Sequence, residues 1–452
     1  MTVFDELAET DGDNEFRTWV SKLIDAKHDI ATFVTQRLQS NIPGEFDGYL
    51  KGSFNLSRVI KLGDDRKAVI RFPKPGHTAT TLREEEVRNE VLFLDYLREK
   101  TKIPVPLVLD WGVTDESPCQ LGPFLIMNYV HGTTLSTLLK EPTETDQDEV
   151  MLATDIDETK LQYVYEQVAD YMLQLSQLDL DAIGAISRNA SNDWTVSGRP
   201  LTYNMNELAT VVSNYPRHDF PTAPFASARA FLHHLADEHL VHLKTQRNLA
   251  DTREDARKRF IARHRFKQLI EKYLLAPTDA GPFKPYCDDF RPTNMLADPE
   301  TYTITAVLNF EFSNALPAQF AYDPPWWLLL LGPDMWLEHH SKEEFDARFV
   351  PRMHQFIQAM ETVETKQILE KDESPQTSLS ARMRESWESK QFWFDYGIRK
   401  SFDVDAVYWA ALHEPGQEKL DEDLEDEMEA FVNMKMEQLE AYEAECRTRF
   451  SK

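Results

Sequence analysis

Apolar residues first recur at helical spacing. Phe16, Trp19, Val20, Leu23 and Ile24 fall on one face, which predicts a helix over 15–40. The period then changes. Gly48-Tyr49-Leu50-Lys51-Gly52-Ser53-Phe54-Asn55 leads into Arg58-Val59-Ile60-Lys61-Leu62. Gly63-Asp64-Asp65 marks a turn, and Lys67-Ala68-Val69-Ile70-Arg71-Phe72 gives a second strand. Residues 79–99 return to helical spacing, with Val87, Val91 and Leu94 as the buried stripe, until Ile103-Pro104-Val105-Pro106 breaks the pattern. Strands are expected at 108–112 and 123–130. His131-Gly132-Thr133-Thr134-Leu135 then turns into a helix that Thr133 or Thr134 can cap. From residue 158 onward helical patterns dominate, apart from 283–312. This order predicts an α+β fold: a small β-rich lobe of about 110 residues ahead of a larger, mostly helical lobe. The divisions fall at 1–44 (a helical extension), 45–130 (the small lobe) and 131–452 (the helical lobe).

Composition narrows the functional classes. With 42% hydrophobic and 28% charged residues, the 452-residue chain can bury a core and is not of disordered type. A net charge of −28 argues against non-specific binding to nucleic acid or to an anionic membrane. Acidic, turn-rich stretches at 141–158 and 370–379 read as surface loops. The segment 418–445 is very acidic, yet Leu420, Leu424, Met428 and Phe431 keep helical spacing. It reads as a docked terminal helix with a solvated face, and that face offers a surface to a protein partner. The opposite sign is concentrated at 244–267, in Lys244, Arg247, Arg253, Arg257, Lys258, Arg259, Arg263, Arg265 and Lys267. Interleaved Asp251, Glu254 and Asp255 favour a solvated helix with internal ion pairs over a site for an anionic ligand. Cys119, Cys287 and Cys446 form no disulfide framework, which points to a reducing compartment. Residues 1–14 lack an apolar signal-peptide core, and the run Trp326–Leu331 is far too short to span a bilayer. A cytoplasmic location is expected.

The chemistry concentrates in Tyr286-Cys287-Asp288-Asp289-Phe290-Arg291-Pro292-Thr293-Asn294, followed by Leu308-Asn309-Phe310-Glu311. Asp289 and Asn294 have the spacing of a kinase catalytic loop, in which the Asp accepts the acceptor's proton and the Asn holds Mg²⁺. With these residues the chain resembles the aminoglycoside phosphotransferase and choline-kinase-like family of small-molecule kinases, a branch of the protein-kinase-like fold, over roughly 45–335. Cys287–Asn294 resembles that family's His-Gly-Asp-Leu-His-x-x-Asn loop, with Cys287 and Arg291 in place of the two histidines. The resemblance implies ATP and Mg²⁺ as cofactors and a small-molecule hydroxyl or amine as acceptor. Lys51-Gly52-Ser53-Phe54-Asn55 resembles the nucleotide loop, where Gly52 and Ser53 would let backbone N–H groups approach phosphate. Arg71 stands where the family carries a phosphate-binding lysine, and Glu90 is its acidic partner, preferred over Glu84, Glu85 and Glu86. Met127 and Tyr129 lie in the segment that resembles the adenine-binding hinge. Asp289 would be the catalytic carboxylate; Arg291 would either place positive charge beside the transferring group or simply pair with a nearby carboxylate. Asp288 reads equally well as a cap for the loop's backbone. Asp323-Pro324-Pro325-Trp326-Trp327 stands where the family often has an Asp near the acceptor side, but it reads rather as a helix N-cap with prolines opening the helix.

One departure bears on the metal. The family carries an Asp where this chain has Asn309, so the ligand set implied for Mg²⁺ is Asn294, Asn309 and Glu311. If 305–311 stays extended, Asn309 and Glu311 point to the same side, and Glu311 can supply the missing carboxylate. Two functions follow: an ATP-dependent small-molecule phosphotransferase, or a pseudokinase-like binding protein that lacks turnover because of Asn309.

Overall fold

The computed structural model describes residues 4–63, 66–143, 150–371 and 378–450. Its elements run α1 (Glu6–Asp25), α2 (Lys27–Arg37), β1 (Glu45–Lys51), β2 (Asn55–Lys61), β3 (Lys67–Pro73), α3 (Arg83–Lys100), β4 (Val108–Gly112), β5 (Phe124–Asn128) and β6 (Thr133–Thr134). They continue with α4 (Leu135–Leu139), α5 (Glu158–Ser176), β7 (Ala185–Arg188), β8 (Trp194–Gly198), α6 (Tyr203–Val211), α7 (Ala228–Thr245), α8 (Arg253–Gln268) and α9 (Ile270–Tyr273). After β9 (Lys284–Cys287), β10 (Met295–Ala297), β11 (Ile304–Val307) and β12 (Ser313–Leu316), the chain is helical: α10 (Pro333–His339), α11 (Lys342–Lys371), α12 (Leu379–Glu388), α13 (Gln391–Ile398), α14 (Val404–Val407) and α15 (Glu422–Phe450). The small sheet lobe and larger helical part are thus those expected from the order of patterns. No helix among the described residues is long and apolar enough to cross a membrane.

The small lobe is an antiparallel sheet ordered β1-β2-β3-β5-β4. Alternation along the strands gives it two apolar faces. Leu56, Ile60, Ala68, Ile70, Phe72, Phe124 and Ile126 pack on its outer face against Trp19, Leu23, Ile30 and Val34 of the two N-terminal helices. The Trp19 indole N–H donates to the Leu121 carbonyl at 2.6 Å, which fixes the register of α1 on the sheet. The single helix expected over 15–40 is therefore two. It starts nearer the N-terminus because Asp5 caps it, accepting from the Leu7 and Ala8 N–H groups, and it breaks at Ala26. Ile24, assigned to the buried stripe, is exposed. The inner face meets α3, whose acidic first turn and basic last turn match the helix dipole.

In the helical part, the basic and acidic segments find each other. Arg253 and Arg257 of α8 bind Glu429 of α15, and Arg247 binds Glu445. Beneath these pairs Phe260 packs on Phe431, with ring centroids 5.0 Å apart, among Leu420, Met428 and Val432. The terminal segment is docked as its apolar spacing requires, and Arg247, Arg253 and Arg257 hold its acids; Arg259 and Arg263 are instead buried against Asp405 of α14, so this helix is not solvated all along its length as expected. Of the stretches expected as surface loops, 144–149 and 372–377 lie outside the described residues, as do Asp64 and Asp65 of the expected turn.

Trp19→Ala removes the largest side chain joining α1 to the sheet. It should lower the unfolding free energy by about 3–5 kcal/mol, read by urea titration. A loss below about 1 kcal/mol, within the range of surface substitutions, would mean that the N-terminal helices are not part of this core.

Candidate active site

Strand pairing brings the two chemical segments together. β9 pairs with β12, with Cys287 opposite Ser313, while β10 pairs with β11, with Met295 opposite Val307. The turns 288–294 and 308–312 are therefore neighbours, and the Leu308 N–H donates to the Asn294 carbonyl at 2.8 Å. The strand expected to continue through 311 ends instead at Val307. Asn309 has φ of +61°, a left-handed conformation that Asn tolerates better than most residues. This turn separates Asn309 from Glu311 and overturns the expectation that both point to one side. Asn309 faces Asn294 and Arg71, whereas Glu311 Oε1 accepts from the Asn55 amide at 2.9 Å.

Arg71 crosses between the lobes. Its guanidinium forms a buried ion pair with Glu90 of α3 and donates to Asn309 Oδ1 at 3.1 Å. The other Glu90 oxygen accepts from the Phe310 N–H at 3.1 Å. Of the competing acids, Glu85 binds Arg199, Glu84 accepts from the Thr114 N–H, and Glu86 is buried, its carboxyl pushed up to about 8 chiefly by burial and then by Glu311. Burial also raises Glu311, against the pull of Arg71, and its Oε2 has no hydrogen-bond partner.

In the loop, Asp289 Oδ1 lies 2.6 Å from Arg291 Nε, and Oδ2 accepts from the Asn294 amide at 2.6 Å. Burial lifts the Asp289 carboxyl above its ordinary value, opposed by Arg291 and by the Asn294 hydrogen bond. The Arg291 guanidinium sits 5.7 Å from the Trp326 ring centroid. Asp288 does not cap the loop; it binds Arg399 at 2.8 Å, and Arg399 also donates to the Tyr286 hydroxyl. Asp323 caps no helix, since the next one begins at Pro333. It is buried, accepts from the Ser386 hydroxyl, and is pushed up to about 7 by burial.

The remaining predicted residues lie along the small lobe. Val69 and Arg71 of β3 stand opposite Met127 and Leu125 of β5, so one face carries an apolar floor that ends in a guanidinium. Tyr129 closes this edge, its ring 4.9 Å from the His131 ring. Gly52 and Ser53 turn their carbonyls to the buried Lys74 ammonium, which lies 5.1 Å from the Phe16 ring centroid on α1. A Cβ at Gly52 would meet only the Asn55 carbonyl oxygen, at 3.5 Å, so the fold itself does not require glycine there.

Several groups escaped sequence reasoning. Lys74 braces the turn at Gly52 and Ser53 from behind. Phe54 at the loop's tip packs on Phe312 and on Tyr203 of α6 at 5.2 and 5.5 Å, tying loop, turn and helix together. Lys400 lies 3.7 Å from Asp403 and 4.0 Å from Asp334, and these acids with Glu207 hold its charge against burial. A lysine beside an arginine at 399–400 in so acidic a chain was the available signal, but its partners are dispersed in sequence.

The sequence matches the phosphotransferase enzyme family over residues 51–323, which takes in both lobes of this site. The chain belongs to that family. A subtelomeric hrmA-associated cluster protein of Aspergillus fumigatus is 24% identical over 148 residues, covering 32% of this chain and 25% of the relative. The Candida glabrata protein named altered inheritance of mitochondria protein 9, mitochondrial, is 27% identical over 157 residues, 33% of this chain and 23% of its own. The matches thus span about a quarter of these relatives' lengths. Among solved structures, a putative aminoglycoside phosphotransferase of Ralstonia eutropha overlays with a TM-score of 0.46 at 12% identity, covering 91% of this chain and 98% of that one. The aminoglycoside phosphotransferase APH(4)-Ia, solved with AMP-PNP and hygromycin B, gives 0.42 at 16% identity, with 90% and 98% covered. Family membership rests on the sequence match, since both overlays are distant.

Glu86 provides a pH test of this interior. Its carboxyl is raised from an ordinary 4.5 to about 8, so its contribution to stability is full below 4.5 and is lost as pH rises through 8. Glu86→Gln should unfold like the parent at pH 4 and be the more stable of the two at pH 8.5, read by thermal melts. An unchanged difference across that range would mean that Glu86 titrates normally.

Proposed function

We propose that this chain transfers the terminal phosphoryl group of ATP to a hydroxyl or amine of a small molecule. The observation that carries the reading is the unbroken contact from Arg71 and Glu90 through Asn309 and Asn294 to Asp289. It joins Arg71, read here as the cation for phosphate, to Asp289, read as the catalytic carboxylate, within the span that matches the family. On this reading ATP takes the face described above. Its base would lie on the apolar floor near Met127, Val69 and Tyr129, and its phosphates toward Arg71 and the loop at Gly52 and Ser53. A Mg²⁺ ion does not fit the groups as organised. The Asn294 and Asn309 side-chain oxygens each accept a hydrogen bond, the latter from the Arg71 cation, and Glu311, although its Oε2 is unpartnered, is turned to Asn55 and away from them.

In the transfer, the bond from the γ-phosphorus to its bridging oxygen breaks as the acceptor's oxygen or nitrogen bonds to phosphorus. The acceptor's proton passes to Asp289. Most of the acceleration comes from position and fixed charge. Arg71 meets the phosphates, and Arg291, anchored on Asp289 and Trp326, places positive charge beside the group in flight. The acceptor is a small molecule, and we place the reaction in the cytoplasm, in keeping with three unpaired cysteines. The alternative of a binding protein without turnover gains nothing from the comparisons.

Transfer from labelled ATP to a panel of small hydroxyl and amino compounds tests the reading. Asp289→Ala should lower kcat by at least about 10²-fold while ATP affinity stays near the parent's; equal turnover would refute the role of Asp289. Because the Asp289 carboxyl is raised, the acid limb of the pH–rate profile should lie above the ordinary aspartate range. Arg291→Gln removes an opposing charge and should move that limb to still higher pH. A limb that stays in place would separate Arg291 from the catalytic carboxylate.

A further inference from the structure

The contact from Arg71 to Asp289 has a direction. The Asn294 amide nitrogen is settled first, because the Asp289 carbonyl at 2.9 Å and Oδ2 at 2.6 Å only accept. Asn294 Oδ1 therefore faces Asn309, which must present its own N–H, at 2.6 Å. That leaves Asn309 Oδ1 for Arg71, at 3.1 Å. Each of the two asparagine oxygens thus already accepts one hydrogen bond, and the one on Asn309 accepts it from a guanidinium, which disfavours a second cation there. Arg71 faces Glu90 and Arg291 faces Asp289, while the Glu311 carboxyl is held by Asn55 through Oε1 and keeps Oε2 without a hydrogen-bond partner. Among the described residues no three His, Cys, Asp or Glu side chains converge as a metal site.

We propose that the Asn309 amide stands in the place of a divalent cation, so that the phosphate end of this cleft accepts a nucleoside triphosphate without a protein-held metal. The inference rests on the nucleotide reading above and goes beyond it in naming the form of the ligand. One functional group decides it. In Asn309→Asp the new carboxylate would face Asn294 Oδ1, acceptor against acceptor, and would add an unbalanced negative charge. A divalent ion bridging the two oxygens relieves both. The backbone permits the change, because Asp also tolerates a φ of +61°.

Two measurements test this: Mn²⁺ alone, titrated into the parent and Asn309→Asp and followed by electron paramagnetic resonance, and ATP titrated calorimetrically into the parent in Mg²⁺ and in EDTA. Asn309→Asp should bind Mn²⁺ at least about tenfold more tightly than the parent, a difference of one decade in Kd. The parent's ATP affinity should differ by less than about twofold, well under that decade, between Mg²⁺ and EDTA. Equal Mn²⁺ binding by both proteins, whether tight or absent, would overturn the inference, as would ATP binding by the parent that tightens tenfold or more in Mg²⁺. If Asn309→Asp does not fold, as judged by circular dichroism, the parent's ATP titration decides alone: binding that tightens tenfold or more in Mg²⁺ overturns the proposal, and cation-independent binding supports it. If the parent binds no ATP in either condition, the nucleotide reading falls, while the Mn²⁺ comparison still decides the role of Asn309.

Discussion

The site depends on one guanidinium taken out of water. Arg71 is only 5% exposed, and its desolvation works against the charge it carries. Arginine keeps that charge in a protein interior, so the surroundings must compensate it. Glu90 does so, which fixes the rotation of α3 against the sheet. Its second oxygen binds the Phe310 N–H and thereby holds the turn that presents Asn309. The remaining Arg71 hydrogen bond reaches Asn309 itself. Sheet, helix and catalytic loop therefore share one electrostatic requirement. Removing Arg71 would strand a carboxylate that is 2% exposed.

Around this pair, contacts on the two sides of the nucleotide loop set its position. Lys74 binds the Gly52 and Ser53 carbonyls from the side of α1, and Phe54 inserts between Phe312 and Tyr203. The N-terminal helices thus reach the chemistry indirectly. They cover the outer face of the sheet, and Phe16 lies over the ammonium that braces the loop.

Much of this was legible in the residue order. Period-2 and period-3.6 patterns located the hairpin β2–β3, α3 and β5, because each buries one defined face. The spacing of Asp289 and Asn294 marked the loop, and Glu90 stood out from its acidic neighbours because it leads into the stripe of Val91 and Leu94. What failed turned on conformation or on distant partners. Nothing in Leu308-Asn309-Phe310-Glu311 announces a left-handed residue, so an extended reading wrongly paired Asn309 with Glu311. Asp323 before two prolines looked like a cap, but its partner Ser386 lies far along the chain. Likewise, the basic α8 could be understood only once the acidic α15 lay against it.

On the proposed reading, Arg71 and Asp289 serve the transfer of phosphate and not the holding of a nucleotide alone. Phosphorus NMR of ATP with the parent protein and a pool of small hydroxyl and amino compounds tests it most directly. The account predicts that the γ-phosphate resonance falls while a new phosphoester or phosphoramidate resonance grows in step with ADP. ATP that binds but stays intact in the presence of every acceptor class would contradict it.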